Sequence, residues 1–166
     1  NANTPNWDLV STCTIGERQG LVLVEAKAHN MELRLEGKVK TATTNEDNHE
    51  RIGEAIKEAK GALNGILHGW SLSRDSHYQL ANRFAWAWKV ADLGCPVVLV
   101  YLGFLNATEM EDQGRHFLDH QQWYNCMMEN AMGVVPTEAW ERPMRIRDTP
   151  IVALVRSVDF VVTTAS

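Results

Sequence analysis

The sequence predicts an α/β domain with a mixed central β-sheet flanked by helices. Two apolar runs, residues 21–29 and 97–105, have the continuous Val and Leu content that is typical of buried strands. Two stretches with helical periodicity lie between them. The second of these stretches ends at a Gly-x-Pro sequence and leads directly into an apolar strand, which is the element order of α/β proteins.

The remaining strands are predicted from shorter runs. Residues 6–13 read as a strand, and residues 14–20 as a polar turn that contains two glycines. The second strand then covers residues 21–29. Residues 151–163 are rich in β-branched side chains and predict a final strand. These assignments place two strands at the start of the chain and one at its end.

The first helix is predicted over residues 45–67. Thr44 or Asn45 serves as the N-cap, and acidic residues in the first turn favour the positive end of the helix dipole. An apolar stripe with helical spacing follows, formed by Ile52, Ala55, Ile56, Ala59, Ala62, Leu63 and Ile66.

The second helix is predicted over residues 77–93, with Gly94 just after its last turn and Pro96 beyond it. Residues 109–132 predict a third helix with a weaker pattern. Three prolines near the end of the chain mark loops around a short segment: Pro136, Pro143 and Pro150.

Length and composition fit one domain, residues 1–166. No apolar run approaches the roughly 20 residues that a membrane-spanning helix needs, so we expect no membrane partner. Three widely spaced cysteines form no metal-binding pair, and we expect reduced thiols in a cytoplasmic protein. The net charge of −5 argues against strong non-specific binding to DNA, although it allows an enzyme that holds a cation.

Two charged residues, Glu25 and Lys27, lie in the otherwise apolar second strand. Side chains alternate between the two faces of a strand, so these two point to the same face. A charged pair costs free energy to bury, and proteins tend to keep such pairs where they have a use. With Asp8 on the preceding strand, they supply two hard oxygen ligands for a divalent cation and one positive charge.

This arrangement resembles the PD-(D/E)xK nuclease superfamily, which has the restriction-endonuclease-like fold. Asp8 matches the motif aspartate, and Glu25 with Lys27 matches the (D/E)xK element. The resemblance implies a nuclease in which Asp8 and Glu25 bind Mg²⁺ or Mn²⁺ and Lys27 assists the attacking water. It also implies nucleic acid, with DNA as the first expectation, as the partner, and a homodimer as one way to cut both strands.

Two departures from the family pattern affect this prediction. The proline lies at position 5 rather than directly before Asp8. The family core also begins with a helix and a strand ahead of the motif aspartate, and only seven residues precede Asp8. We therefore expect a single nuclease-like domain whose N-terminal core helix is missing or is supplied differently.

The second predicted helix carries a polar face with i, i+3, i+4 and i+7 spacing, formed by Gln79, Asn82, Arg83 and Trp86. In the family that the chain resembles, this helix often places a Gln or a basic residue near the metal. The resemblance therefore implies a catalytic role for Gln79, and Asn82 and Arg83 as substrate-binding residues. Arg83 suits a phosphate because its guanidinium donates two parallel hydrogen bonds.

Three other interpretations stay open at the level of the sequence. Glu25 and Lys27 can form a simple salt bridge at the open end of a strand. The chain can be a catalytically inert module of the same fold, which binds nucleic acid or protein and retains the three charged residues as an ion-pair network. Lys27 can also act as a nucleophilic amine in an unrelated α/β enzyme.

Overall fold

The structure of this chain is a computed structural model that describes residues 6–33, 35–38 and 46–159. The described residues contain five strands and three helices. The strands are β1 (Leu9–Ile15), β2 (Arg18–Lys27), β3 (Val97–Leu105), β4 (Pro143–Ile146) and β5 (Thr149–Asp159). The helices are α1 (Glu46–Asn64), α2 (Tyr78–Asp92) and α3 (His120–Ala131).

The five strands form one mixed sheet in the order β1-β2-β3-β5-β4. The two outer pairs, β1 with β2 and β4 with β5, are antiparallel hairpins. The three inner strands are parallel, since β2 pairs with β3 and β3 pairs with β5 in the same direction. The predicted α/β class with a mixed sheet flanked by helices is therefore confirmed.

One face of the sheet carries the core. Tyr101 on β3 stacks on Phe84 of α2, with ring centroids 6.2 Å apart. Gly103, on the same face, makes room for Trp123 of α3, because a Cβ there would lie 2.6 Å from the indole Cγ. Glu25 lies beside Tyr101 in the strand register and so points to this face. The charged pair of β2 is therefore placed under α2, within the helix-covered half of the domain.

The opposite face of the sheet is apolar and, apart from the buried Val24, only half-buried, and it lies outside that core. Its side chains come from alternate positions of the inner strands: Val22, Val98, Val100, Leu102, Val152 and Leu154. Purely parallel sheets are usually covered on both faces, so this half-buried surface sets the domain apart from a symmetric three-layer fold.

The predicted helix over residues 109–132 is wrong in its first half. In the structure α3 begins only at His120, and the Asp119 carboxylate caps it by accepting a 2.8 Å hydrogen bond from Gln122 N. The chain just before it is extended, because His116 bridges to His29 and Phe117 bridges to Leu105. These contacts with the ends of β2 and β3 draw the segment away from a helix.

The other boundaries differ by a few residues. The predicted polar turn over residues 14–20 is shorter than expected, because β1 runs to Ile15 and β2 starts at Arg18 around Gly16. Helix α1 ends at Asn64, whose Oδ1 accepts from the main-chain N–H groups of Gly69 and Trp70. The predicted N-cap, Thr44 or Asn45, and the predicted strand beyond Asp159 lie outside the described residues.

Two of the three late prolines lie in a hairpin rather than in a loop, whereas Pro136 precedes the short 3-10 turn Thr137–Ala139. Pro143 opens β4, and Pro150 on β5 pairs with Arg145. Pro143 fits there because β4 is an edge strand, where a missing N–H donor breaks no ladder. Pro150 precedes Ile151, where the pairing of β5 with β3 begins. The sequence pattern of turn-forming residues concealed this short edge strand.

Within the described residues, no helix is long and apolar enough to cross a membrane.

Candidate functional site

The Glu25 carboxylate is the centre of the site. Its Oε1 accepts from Lys27 Nζ at 2.5 Å and from Gln79 Nε2 at 2.6 Å. Its Oε2 accepts from Arg83 Nε at 2.5 Å. The four residues come from β2 and α2, and α2 lies more than 50 residues further along the chain. Four of the six predicted site residues are therefore in direct contact; we refer to them as the Glu25 cluster.

Local structure explains why these side chains converge. Glu25 and Lys27 lie two residues apart on β2 and share the face that α2 covers. Gln79 and Arg83 lie four residues apart on α2, so they occupy one side of that helix. The packing of α2 on the sheet brings the two pairs together.

Arg83 is held by more than Glu25. Its Nη2 donates a 2.8 Å hydrogen bond to the main-chain oxygen of Asn6, and its guanidinium lies 4.6 Å from the ring centroid of Trp7. A guanidinium has five N–H donors, and its hydrogen bonds within the described part of the chain use two of them. The plane of Arg83 is thus fixed while donors remain for another acceptor.

The cluster is buried and carries a formal excess of positive charge. Only 2% of Glu25, 6% of Lys27 and 7% of Arg83 is exposed. One carboxylate thus serves two cations that have little access to water. Buried charges are stable only when they are well paired, so this arrangement favours an additional anion beside Arg83 and Lys27.

Asp8 lies close to the cluster because β1 pairs with β2, but its side chain bonds to the main chain of β2 and not to the cluster. It precedes Leu9, which pairs with Val24, and its main-chain N–H donates to Val24 O at 3.1 Å. Its carboxylate Oδ2 accepts from Ala26 N at 2.7 Å and is exposed to solvent. Asp8 therefore shares no hydrogen bond with Glu25 or Lys27 and is fixed at the edge of β2.

A cleft of about 950 Å³ opens beside the cluster. Gln79, Asn82 and Arg83 line it from α2, and the segment after β2 forms the facing wall. Asn82 is half-buried there, and no hydrogen bond of its side chain is found among the described residues. The structure therefore places the two predicted substrate-binding residues, Asn82 and Arg83, on the same side of one cleft.

The side-chain atoms at this site can be compared with the ligands that the predicted metal ion prefers. Asp8 and Glu25 offer hard oxygen atoms, which Mg²⁺ and Mn²⁺ prefer, from adjoining parts of one hairpin. Both oxygens of Glu25 already accept from nitrogen atoms, so an ion bound there would share or replace one of these contacts. The residues fit such an ion in kind.

The described His, Cys, Asp and Glu side chains form no group of three or more that could hold a metal ion. The predicted site has only two such side chains, Asp8 and Glu25, so the predicted ion stays a prediction.

Comparison with known proteins adds no further constraint on this site. The chain matches no protein-family model, no curated protein and no solved structure. The resemblance to the PD-(D/E)xK superfamily therefore rests on the residues of this chain alone.

Sequence reasoning missed Tyr101 as a neighbour of the site. Tyr101 lies beside Glu25 in the register of β2 and β3, and its hydroxyl is buried with no hydrogen-bond partner in the described part of the chain. Burial, and then the negative charge of Glu25, raise the pKa of Tyr101 well above its usual value, while Arg83 acts in the opposite direction. Its place inside an apolar strand gave no sign of this, because only the strand register brings it to Glu25.

Proposed function

We propose that this chain is a divalent-metal-dependent nuclease that hydrolyses phosphodiester bonds, with DNA as the expected substrate. One observation carries the proposal. The buried carboxylate of Glu25 accepts hydrogen bonds from Lys27, two residues along the same strand, and from Gln79 and Arg83 of α2. An open cleft lies beside this cluster. This set combines a carboxylate for a cation with an excess of positive charge for a phosphate.

Each residue has a role that follows from its contacts. In hydrolysis, the oxygen of water bonds to phosphorus, the phosphorus–oxygen ester bond breaks, and the leaving oxygen ends with a proton. Lys27 orients the water and offsets the negative charge that builds up on the phosphate. Arg83 binds a non-bridging phosphate oxygen with its remaining donors, and Gln79 fixes Glu25 and can donate to the water.

Asp8 and Glu25 are the residues that would hold Mg²⁺ or Mn²⁺. Such an ion supplies a more acidic bound water and shields the phosphate charge. Asp8 is suited to this role because its carboxylate is accessible and is already oriented by Ala26 N.

The direct test is cleavage of a mixture of linear, circular and single-stranded DNA with Mg²⁺ or Mn²⁺, beside reactions with EDTA. Lys27→Ala, purified in the same way, is the control for contaminating nucleases. We expect metal-dependent cleavage that the variant loses by at least about 100-fold. The substrates that disappear distinguish an exonuclease from an endonuclease.

The proposal fails if no DNA is cut under any of these conditions and if neither ion raises the melting temperature. A ligand that binds only the folded state raises the melting temperature, so a working metal site has to do so.

A second candidate is a catalytically inert nucleic-acid-binding module of the same fold. It is favoured by one observation, that both Glu25 oxygens are occupied by nitrogen donors. This candidate predicts that oligonucleotides bind in EDTA and that Mg²⁺ and Mn²⁺ leave stability unchanged. The homodimer implied by the family resemblance is likewise a proposal, which the mass of the protein in solution tests.

A further inference from the structure

We infer that the cleft beside the Glu25 cluster binds single-stranded nucleic acid, with an unpaired base on its apolar wall and the adjoining phosphate at Arg83. The inference rests on the proposed function for the identity of the substrate as nucleic acid. It goes further by naming the strand state and the surface that selects it.

The apolar wall of the cleft consists of Met31, Leu33 and Leu35. Met31 is 65% exposed and Leu35 is 59% exposed, although they lie in the segment that follows the buried end of β2. Large apolar side chains that line a cleft lower their free energy by contacting an apolar or aromatic surface of a ligand. A nucleobase presents such a surface only when it is not stacked inside a duplex.

The main chain of this wall is anchored to the start of α2. Glu36 forms a β-bridge with Ser76, and Leu35 O accepts from His77 N at 2.8 Å. Lys38 N donates to Arg74 O, also at 2.8 Å. The backbone at Leu35 is therefore held by hydrogen bonds to the chain just before α2, which lowers the entropy cost of binding a ligand there.

The opposite side of the cleft is polar. Gln79, Asn82 and Arg83 line it, so the amide of Asn82 and the Arg83 donors that contact no other described residue lie across from the apolar wall. An apolar surface on one side and amide and guanidinium donors on the other match the two halves of a nucleotide: the base and its phosphate.

The charges in this region argue against a duplex. Among the described residues, the cations next to the cleft are Arg83, which lines it, and Lys38, which donates to Tyr78 Oη at 3.3 Å. Glu36 lines the same cleft and opposes them, and the whole chain carries a net charge of −5. A duplex that is held by about six to ten phosphate contacts needs more basic residues than the described part of this cleft supplies.

The test is a binding titration in EDTA, so that no cleavage occurs. The probes are fluorescein-labelled oligodeoxythymidylate, the matching oligouridylate, and a DNA hairpin duplex of the same charge. We expect each single strand to bind at least about tenfold more tightly than the duplex. The comparison of the deoxy and ribo strands decides whether DNA or RNA is the better ligand.

A matched pair of variants assigns the binding to this cleft. Leu35→Asn changes the apolar wall, and Leu118→Asn changes a leucine with the same 59% exposure that does not line the cleft. We expect Leu35→Asn to weaken single-strand binding by about fivefold or more and Leu118→Asn to leave it unchanged. Both positions are exposed, so both variants are expected to fold.

Equal effects of the two variants, tighter binding of the duplex, or no binding of any single strand would overturn the inference. These results are separable from a failure of the nuclease proposal. Metal-dependent cleavage confined to duplex DNA would retain the nuclease and reject the single-strand cleft. Single-strand binding that depends on Leu35, with no cleavage of any DNA and no metal-induced rise in melting temperature, would retain the cleft and reject the nuclease.

Discussion

Arg83 Nε lies 2.5 Å from Glu25 Oε2, and this contact joins α2 to β2 across 58 residues of chain. Arg83 also reaches the main chain of Asn6 and stacks against Trp7, so it connects the start of the described chain to the same carboxylate. Lys27 approaches the other oxygen of Glu25. The contact thus links distant parts of the chain. Because the same carboxylate also pairs with Lys27, the cluster holds two buried cations and only one carboxylate.

The unequal charges in the cluster predict unequal effects of substitution on stability. Glu25→Gln leaves two buried cations without a carboxylate, and we expect the free energy of unfolding to fall by about 3–5 kcal/mol. Lys27→Met leaves Glu25 paired with Arg83, and we expect a loss of less than about 2 kcal/mol. Urea denaturation of the two variants measures both values.

The double variant, Glu25→Gln with Lys27→Met, is the control for this prediction. It leaves only one buried cation unpaired, so it is expected to be more stable than Glu25→Gln alone. Equal losses in the two single variants, with no recovery in the double variant, would contradict a positive excess at this site.

Asp8→Asn separates the charge of Asp8 from its hydrogen bond. The amide oxygen of Asn can still accept from Ala26 N, and the side chain is exposed, so we expect a stability change within about 0.5 kcal/mol. If Asp8 binds the metal, the loss of its charge lowers cleavage by at least about tenfold and reduces the Mn²⁺-induced rise in melting temperature. Cleavage and melting curves that match the unchanged protein would remove Asp8 from the metal site.

The raised pKa of Tyr101 predicts that the folded protein loses stability at alkaline pH. Its pKa is raised in the folded state, so the neutral phenol is favoured there. Its contribution is complete below the pKa of an unfolded tyrosine, near 10, and decreases as the pH rises through the higher folded value. We therefore expect the midpoint of urea unfolding to fall above about pH 10.

Tyr101→Phe checks this assignment, because it removes a buried hydroxyl without a partner in the described residues. We expect the variant to be as stable as the unchanged protein at neutral pH and to lose less stability at alkaline pH. The difference in phenolate absorbance between the two proteins reports the titration of this tyrosine alone. An identical pH dependence in both proteins would show that other groups control the alkaline loss.

Two glycines provide a paired test of the packing of α3 on the sheet. Gly103→Ala would place its Cβ 2.6 Å from Trp123 Cγ, and we expect a loss of about 1–3 kcal/mol from overpacking. Gly61 lies on the exposed side of α1, where an added Cβ meets nothing within 4 Å, so we expect Gly61→Ala to gain about 0.5–1 kcal/mol. Thermal melts of the two variants should move in opposite directions; a shared direction would contradict the close packing of Trp123 on Gly103.

Local sequence features were enough to predict the α/β class and the main inner strands. The apolar run that forms β3 matches residues 97–105 as predicted, and Gly94 has the positive φ, +92°, expected at the end of α2. Alternation along β2 placed Glu25 and Lys27 on one face, and helical spacing placed Gln79 and Arg83 on one side of α2. These signals are local, because period and capping depend on neighbouring residues.

The tertiary structure alone decided how these faces meet. Only the packing of α2 on the sheet brings Arg83 to Glu25, and only the register of β2 with β3 brings Tyr101 beside them. The late start of α3 had the same kind of cause, since long-range bridges from His116 and Phe117 overrode a weak helical pattern. Contacts between residues that are far apart in the chain follow from shape and burial, which periodicity does not record.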